Sequence, residues 1–341
     1  KGDYFCINRG RQYGKTTTLE ALAGYLKDDY CVFNISFEGL GDSSFSAVEN
    51  TCAEFLKILK RHSKVNGSSE AMQCLLKEAV SLGCKEISST DFAEIVEELC
   101  NLSDKPIVVL IDEVDQASNN DGFIRFLGVL RNMYLSRETF PTFKSIILAG
   151  VYDIKNLKLK IRTEQDHQYN SPWNISVPFE EDMSLSAEGI AGMLDDYEAD
   201  HHKGINTEEV ASWIREYTGG YPFLVSRLCQ LMDDRDDWTQ EGFRNAVKAL
   251  LNERNTLFDD MQKKLTQFPG LSDMMKSIIF GGKRVSFNYY DRDINIAVMF
   301  NFVKDELGAT KIACRIFETW LYNYYISLDK PSSIYQLGEY E

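Results

Sequence analysis

Two short stretches of the chain carry residue types able to handle phosphate. The first, Arg9-Gly-Arg-Gln-Tyr-Gly-Lys-Thr-Thr17, lies between an apolar run, Tyr4-Phe-Cys-Ile-Asn8, and a segment with Leu19, Leu22, Ala23 and Leu26 at helical spacing. A tight turn that opens a helix aims successive backbone N–H groups at one point, and the positive end of the helix dipole favours an anion there. In that setting Arg11, Gln12, Tyr13, Gly14, Lys15, Thr16 and Thr17 would bind the phosphates of a nucleotide. The Lys15 ammonium would neutralise the outer phosphates and the Thr16 hydroxyl would ligate a magnesium ion. Measured against G-x-x-x-x-G-K-[ST], Arg9 stands where the first glycine is expected, and Gly10 falls one place late. The second stretch, Ile107-Val-Val-Leu-Ile-Asp-Glu-Val-Asp115, is apolar and then abruptly acidic. Here Asp112 would hold Mg2+ together with Thr16, and Glu113 would polarise the water that attacks the terminal phosphate. A surface turn and a capped strand are the plain readings of either stretch alone. The pair, in this order, points to ATP or ADP with Mg2+.

These residues need elements to position them. Apolar runs at 4–8, 31–37, 106–111, 144–149 and 174–178 read as short buried strands, and helical periodicity falls between them. It covers 16–27, most of 45–102 with breaks near Val65–Ser69 and at Gly83, and 121–136. Strands alternating with helices imply an α/β fold: a parallel sheet with helices on both faces, its ligands bound beyond the carboxyl ends of the strands. After Phe179 the strands stop. Helices are expected at Ala187–His201, Thr207–Tyr217 and Pro222–Asp233, and one long helical stretch over 240–265. From there the order is a helix (272–280), a short strand (284–288), a helix (291–300), a hairpin within Phe302–Ile316 and an aromatic helix (317–327), a winged-helix-like pattern. The expected organisation is a core at 1–180, a helical lid at 181–250, a winged-helix-like domain at 251–330 and a tail or linker at 331–341.

Composition bounds the possibilities. A chain of 341 residues that is 44% hydrophobic and 26% charged has ample material for packed cores, and enough length for two or three domains. Its net charge of −15 opposes unspecific attraction to nucleic acid or anionic lipid. The acidity is uneven, since residues 251–341 carry 11 basic and 12 acidic side chains. The eight cysteines form no C-x-x-C pair, so neither a disulfide framework nor a zinc site is signalled, and a reducing cytoplasm is the expected location. Near the motifs no apolar run approaches the ~20 residues that cross a bilayer. Asp195, Glu198, His201 and His202 read as a solvated helix face rather than a metal set. Phe317, Trp320, Tyr322, Tyr324 and Tyr325 read as core packing rather than a stacking surface for bases.

The chain resembles a prokaryotic AAA-like P-loop ATPase, close to the archaeal-type and STAND groups. The likeness rests on Ile7–Thr18, Val108–Asp115, Tyr217-Thr-Gly-Gly-Tyr-Pro-Phe-Leu-Val225 and Ile312–Asn323. It implies a nucleotide-binding core, a helical lid and a winged helix, with Pro222 of the Gly-Gly-Tyr-Pro turn packed on the nucleotide base, though proline also simply suits a first helical turn; Arg227, about one and a half turns further along that helix, reads equally as a γ-phosphate sensor or as a surface arginine. It also implies a polar sensor at the end of the strand 144–149. Ala149 and Gly150 supply none, which leaves Tyr152 or Asp153 as substitutes and points to slow turnover. No arginine finger can be assigned among Arg125, Arg131, Arg137 and Arg162; one supplied by a protein partner or a second copy would imply an oligomer. The expectation is a Mg-dependent, slow ATPase acting as a nucleotide-controlled switch. The alternative is a nucleic-acid-binding or scaffolding module with structurally held nucleotide, to which only Lys263-Lys264 and Lys283-Arg284 lend basic charge. Relatives of this kind often continue into a nuclease-like domain, whose carboxylate cluster these residues lack.

Overall fold

The computed structural model describes residues 2–82, 87–118, 120–151, 173–282 and 284–328. By their contacts these fall into two units, Lys1–Arg9 with Gly14–Glu181, and Gly10–Tyr13 with Asp182–Glu341.

The first unit is built on four strands, β1 (Phe5–Asn8), β2 (Cys31–Ser36), β3 (Ile107–Asp112) and β4 (Ser145–Gly150). They form one sheet in the order β1-β4-β3-β2, with every pairing parallel. All six residues of β3 are buried, as a strand covered on both faces requires. The covering helices are α1 (Lys15–Leu26), α2 (Val48–His62), α3 (Glu70–Leu82), α4 (Ser89–Asn101) and α5 (Asp121–Leu135). The inner faces of α2, α4 and α5 meet in an aromatic cluster in which Phe55 contacts Phe92, Phe126 and Phe143 at centroid distances of 5.9, 5.2 and 6.2 Å. The break expected near 65–69 lies between α2 and α3; the one at Gly83 lies outside the described residues. The strand expected at 174–178 shrinks to one parallel bridge between Val177 and Phe5. Residues 173–175 turn instead, and the fully buried Trp173 stacks on Tyr4 at 5.7 Å.

The second unit is mainly helical, with α6 (Ala187–His201), α7 (Thr207–Thr218) and α8 (Pro222–Asp233) where periodicity placed them. The single stretch expected over 240–265 is two helices, α9 (Gln240–Asn252) and α10 (Thr256–Gln267). Glu253 is extended, and the Asn255 side chain accepts the Phe258 N–H at 2.9 Å, starting a new helix with its own cap. Beyond lie α11 (Pro269–Gly281), α12 (Arg292–Met299), a hairpin of β5 (Val303–Glu306) and β6 (Ala309–Ile312), and α13 (Arg315–Leu328). Leu307 and Gly308 join the hairpin strands with φ of 53° and 77°, the mirror-image turn that matches strand twist. The strand expected at 284–288 is one antiparallel bridge, Ser286 to Ala309. In α13, Phe317, Leu321 and Tyr325 are buried and Trp320 stacks on Phe258 at 5.3 Å, so most of the aromatic run packs inward, while Tyr322 is exposed. Among the described residues no helix is long and apolar enough to cross a membrane.

Candidate phosphate-binding site

The turn from β1 into α1 has the backbone that the motif calls for. Gln12 and Gly14 take left-handed conformations, φ 57° and 78°, which curl the chain before α1 begins at Lys15. No side chain caps α1 and no acidic residue lies in its first turn, so the positive end of its dipole is left for an outside anion. Lys15 is only 8% exposed and its ammonium donates to the Arg9 carbonyl at 3.0 Å. Arg11, Gln12, Thr16 and Thr17 are exposed, whereas Tyr13 is buried.

Across the sheet, β3 delivers the acidic half. The Thr16 hydroxyl donates to an Asp112 carboxylate oxygen at 2.5 Å, bringing together two residues 96 positions apart. The other Asp112 oxygen accepts the Glu113 N–H at 2.8 Å. Asp112 is 6% exposed, and its carbonyl accepts the N–H of Phe37, which fixes the end of β3 against the end of β2. Glu113 is left-handed, φ 54° and ψ 38°, a conformation that strains a residue with a Cβ and recurs where function over-determines the backbone. Burial raises its carboxyl above the usual range, the Asp112 charge raises it further, and Lys15 opposes both. A cleft of about 530 Å³ opens beside Thr16 and Asp112, walled by Asn34, Ser36 and Glu38 from β2 and its exit, and by Lys57 and Arg61 from α2. Among the described residues no group of three or more His, Cys, Asp or Glu could hold a metal. A hydroxyl and a carboxylate oxygen beside a polar cleft nevertheless fit Mg2+, which takes few protein oxygens and draws its remaining ligands from water and phosphate.

The neighbouring strand end is different. At Gly150 an added Cβ would lie 2.8 Å from Val114 Cγ2 and 3.0 Å from Asp115 Oδ1. The turn after β3 fills that space, and the Asp115 carboxylate accepts the Val151 N–H at 2.6 Å. Gly150 thus has no room for a side chain, because Val114 and Asp115 are packed against it. Tyr152, Asp153 and Arg162 lie outside the described residues. The other arginines considered as fingers have partners in this unit: Arg125 pairs with Asp121 at 2.7 Å, Arg131 donates to Asn174 at 2.8 Å, and Arg137 donates to the Tyr134 carbonyl while lying 3.7 Å from its ring centroid.

Within the second unit, Gly219 ends α7, Tyr221 precedes α8 and Pro222 occupies its first position, where a missing N–H is harmless. Arg227 donates to both carboxylate oxygens of Glu253, at 2.9 and 3.2 Å, and to Gln230 at 2.7 Å, so it is committed inside its own unit. Three of the four loop residues grouped here, Gly10, Arg11 and Gln12, take part in hydrogen bonds to side chains of this unit. The Gly10 N–H donates to Asn301 Oδ1 at 2.8 Å, the Tyr221 hydroxyl donates to the Arg11 carbonyl, and Gln12 Nε2 donates to Thr256 Oγ1 at 3.0 Å. Sequence reasoning missed Asn301 and the Tyr221 hydroxyl, as well as the place taken by Asp115. The one signal for Asn301 is indirect, the glycine displaced to position 10.

No protein-family model matches the chain, and no curated protein matches it. Solved structures do. The Walker-type ATPase PABY2304 of Pyrococcus abyssi superposes with a TM-score of 0.59 at 15% identity, covering 94% of this chain and 91% of that one. The likeness is one of fold. This α/β chain with its parallel sheet has the fold of a Walker-type ATPase along nearly its whole length. The Aeropyrum pernix ORC2 protein, in ADPNP–ADP complexes, gives 0.48 at 10% identity, and Aeropyrum pernix ORC1 in complex with DNA gives 0.34 at 12%.

Proposed function

We propose that the chain binds ATP with Mg2+ and hydrolyses it slowly, acting as a nucleotide-controlled switch. The observation that carries this reading is the meeting of Thr16 and Asp112 at 2.5 Å, with the buried Lys15 at the open N-terminus of α1. In this reading the backbone from Arg11 to Thr17 and the Lys15 ammonium hold the phosphates, while Thr16 and Asp112 place the cation. Mg2+ held there would supply positive charge to offset that of the phosphates. Glu113, ionised, takes the proton of the attacking water. Slow turnover follows from the bare end of β4, where Gly150 offers nothing to orient that water. Among the described candidates Arg125, Arg131 and Arg137 are engaged within their unit, so an arginine for the terminal phosphate would come from Arg162 or from a partner copy or another protein. We further read 181–250 as a helical lid whose Pro222 faces the base, and 251–330 as a winged-helix-like domain that responds to nucleotide state.

The test is thermal unfolding of the full chain with and without Mg-ATP. A ligand that binds only the native state raises its stability by about 2.7 kcal/mol at one hundred times its dissociation constant. Wild type should show such a rise and Lys15→Ala should not. An equal rise in both would remove the phosphate role of Lys15 and with it this reading.

A further inference from the structure

Asn301 follows α12 in a left-handed conformation, φ 58°, that asparagine tolerates better than most residues. Its side chain accepts the Gly10 N–H, and the fit is close: a Cβ on Gly10 would lie 2.9 Å from the Phe300 carbonyl oxygen and 3.2 Å from Asn301 Oδ1. This explains the displaced glycine. Position 10 is free of a side chain because the Phe300–Asn301 turn lies against it.

A second hold acts two residues further on. Tyr13 and Tyr221 meet edge to face at 4.8 Å, and the Tyr221 hydroxyl reaches the Arg11 carbonyl. Burial raises the pKa of that hydroxyl, which keeps it a proton donor. From Tyr221 the rings continue through Phe317 (5.4 Å) and Phe302 (6.2 Å) to Phe300 (5.6 Å), the residue beside Asn301. The two grips on residues 10–13 are therefore joined by continuous aromatic packing, so neither can shift without disturbing the other.

We propose that Asn301 and Tyr221 are positioning residues of the phosphate-binding loop, fixing the backbone of Gly10–Tyr13 and so setting affinity for a nucleoside di- or triphosphate from the C-terminal part of the chain. The inference rests on the nucleotide reading of Lys15 and Thr16. Its physical basis is preorganisation: a loop backbone already held in place loses less freedom on binding. The contact with Thr256 is exposed at both ends and contributes little.

The test measures ADP binding calorimetrically and steady-state ATP hydrolysis on the full chain with Mg2+, alongside the nucleotide-free unfolding midpoint. Asn301→Gly keeps the left-handed backbone and removes the acceptor; Tyr221→Phe keeps the ring and removes the donor. Each should raise the ADP dissociation constant about five- to tenfold, tenfold being about 1.4 kcal/mol. KM for ATP should rise with it while kcat holds, because Lys15, Thr16, Asp112 and Glu113 are untouched. Thr256→Ala should stay within about twofold, the difference expected between a buried and an exposed hydrogen bond. Lowered midpoints with unchanged dissociation constants for both variants would overturn the proposal and leave only a structural role. If Asn301→Gly does not fold, Tyr221→Phe decides alone. Wild type failing to bind ADP at all would instead remove the nucleotide reading, and this inference with it.

Discussion

β3 and β4 are neighbours in one sheet and end at the same edge, yet the two ends are opposites. β3 leaves the sheet with Asp112 against Thr16 and a left-handed Glu113 whose carboxyl is hard to ionise. β4 leaves it with Ala149 and Gly150, and the space a side chain would take there belongs to Val114 and Asp115. The turn after β3 thus supplies the charged groups of its own strand end and also covers the next. The contrast sets charged groups at one strand end and close packing at the other.

Substitutions at the two ends should therefore fail in different ways. The largest effect is expected at Glu113→Gln, which keeps shape and removes the base: ATP binding should persist and kcat fall by about a hundredfold or more, read by phosphate release. Loss of binding would instead make Glu113 a ligand or a structural residue. The matching change on β4, Gly150→Ala, should cost about 1–3 kcal/mol of stability as overpacking does, seen in denaturant midpoints. A stable variant with normal midpoints would show that the Asp115 turn yields easily. The pH profile gives a smaller, directional effect. Since the Glu113 carboxyl is raised above the usual range, the acid limb of kcat/KM should lie above the ordinary carboxylate value of about 4.3, and Glu113→Gln should lack it. The smallest effect concerns stability. A carboxyl whose pKa is raised by folding favours the native state at low pH and disfavours it once ionised. Glu113→Gln should then unfold slightly later than wild type at pH 7, and the difference should vanish below about pH 4.3.

Much of this site was legible because its signals are local. The Gly14-Lys15-Thr16 turn between an apolar run and a helical period, and the abrupt passage from Ile111 to Asp112, each state their geometry within ten residues. What escaped is set by tertiary packing. The strand expected at 174–178 lost to the inward turn of Trp173, whose burial outweighs further sheet pairing. The single helical stretch over 240–265 hid a cap at Asn255, visible in hindsight as an asparagine three residues before Phe258. Arg227 looked free to sense a phosphate, but its partner Glu253 lies 26 positions away, on no common local pattern. Asn301 is 291 residues from Gly10, a distance at which only an oddly placed glycine gave any hint.

The sheet order also constrains how the chain is made. β1 is synthesised before the other described strands of its sheet, but its neighbour is β4, and the Tyr4 hydroxyl finds its acceptor, the Phe143 carbonyl, 139 residues later. At 5–20 residues per second a ribosome needs about 7 to 28 seconds to close that gap. Throughout it β1 lacks its β4 partner, and the turn that follows has no sheet to hold it. β2 and β3 can pair before β4 exists; the turn between β1 and α1 cannot be fixed until afterwards. Completion of this end of the sheet should therefore come late and abruptly, and anything that slows β4 prolongs the exposure of an aggregation-prone edge.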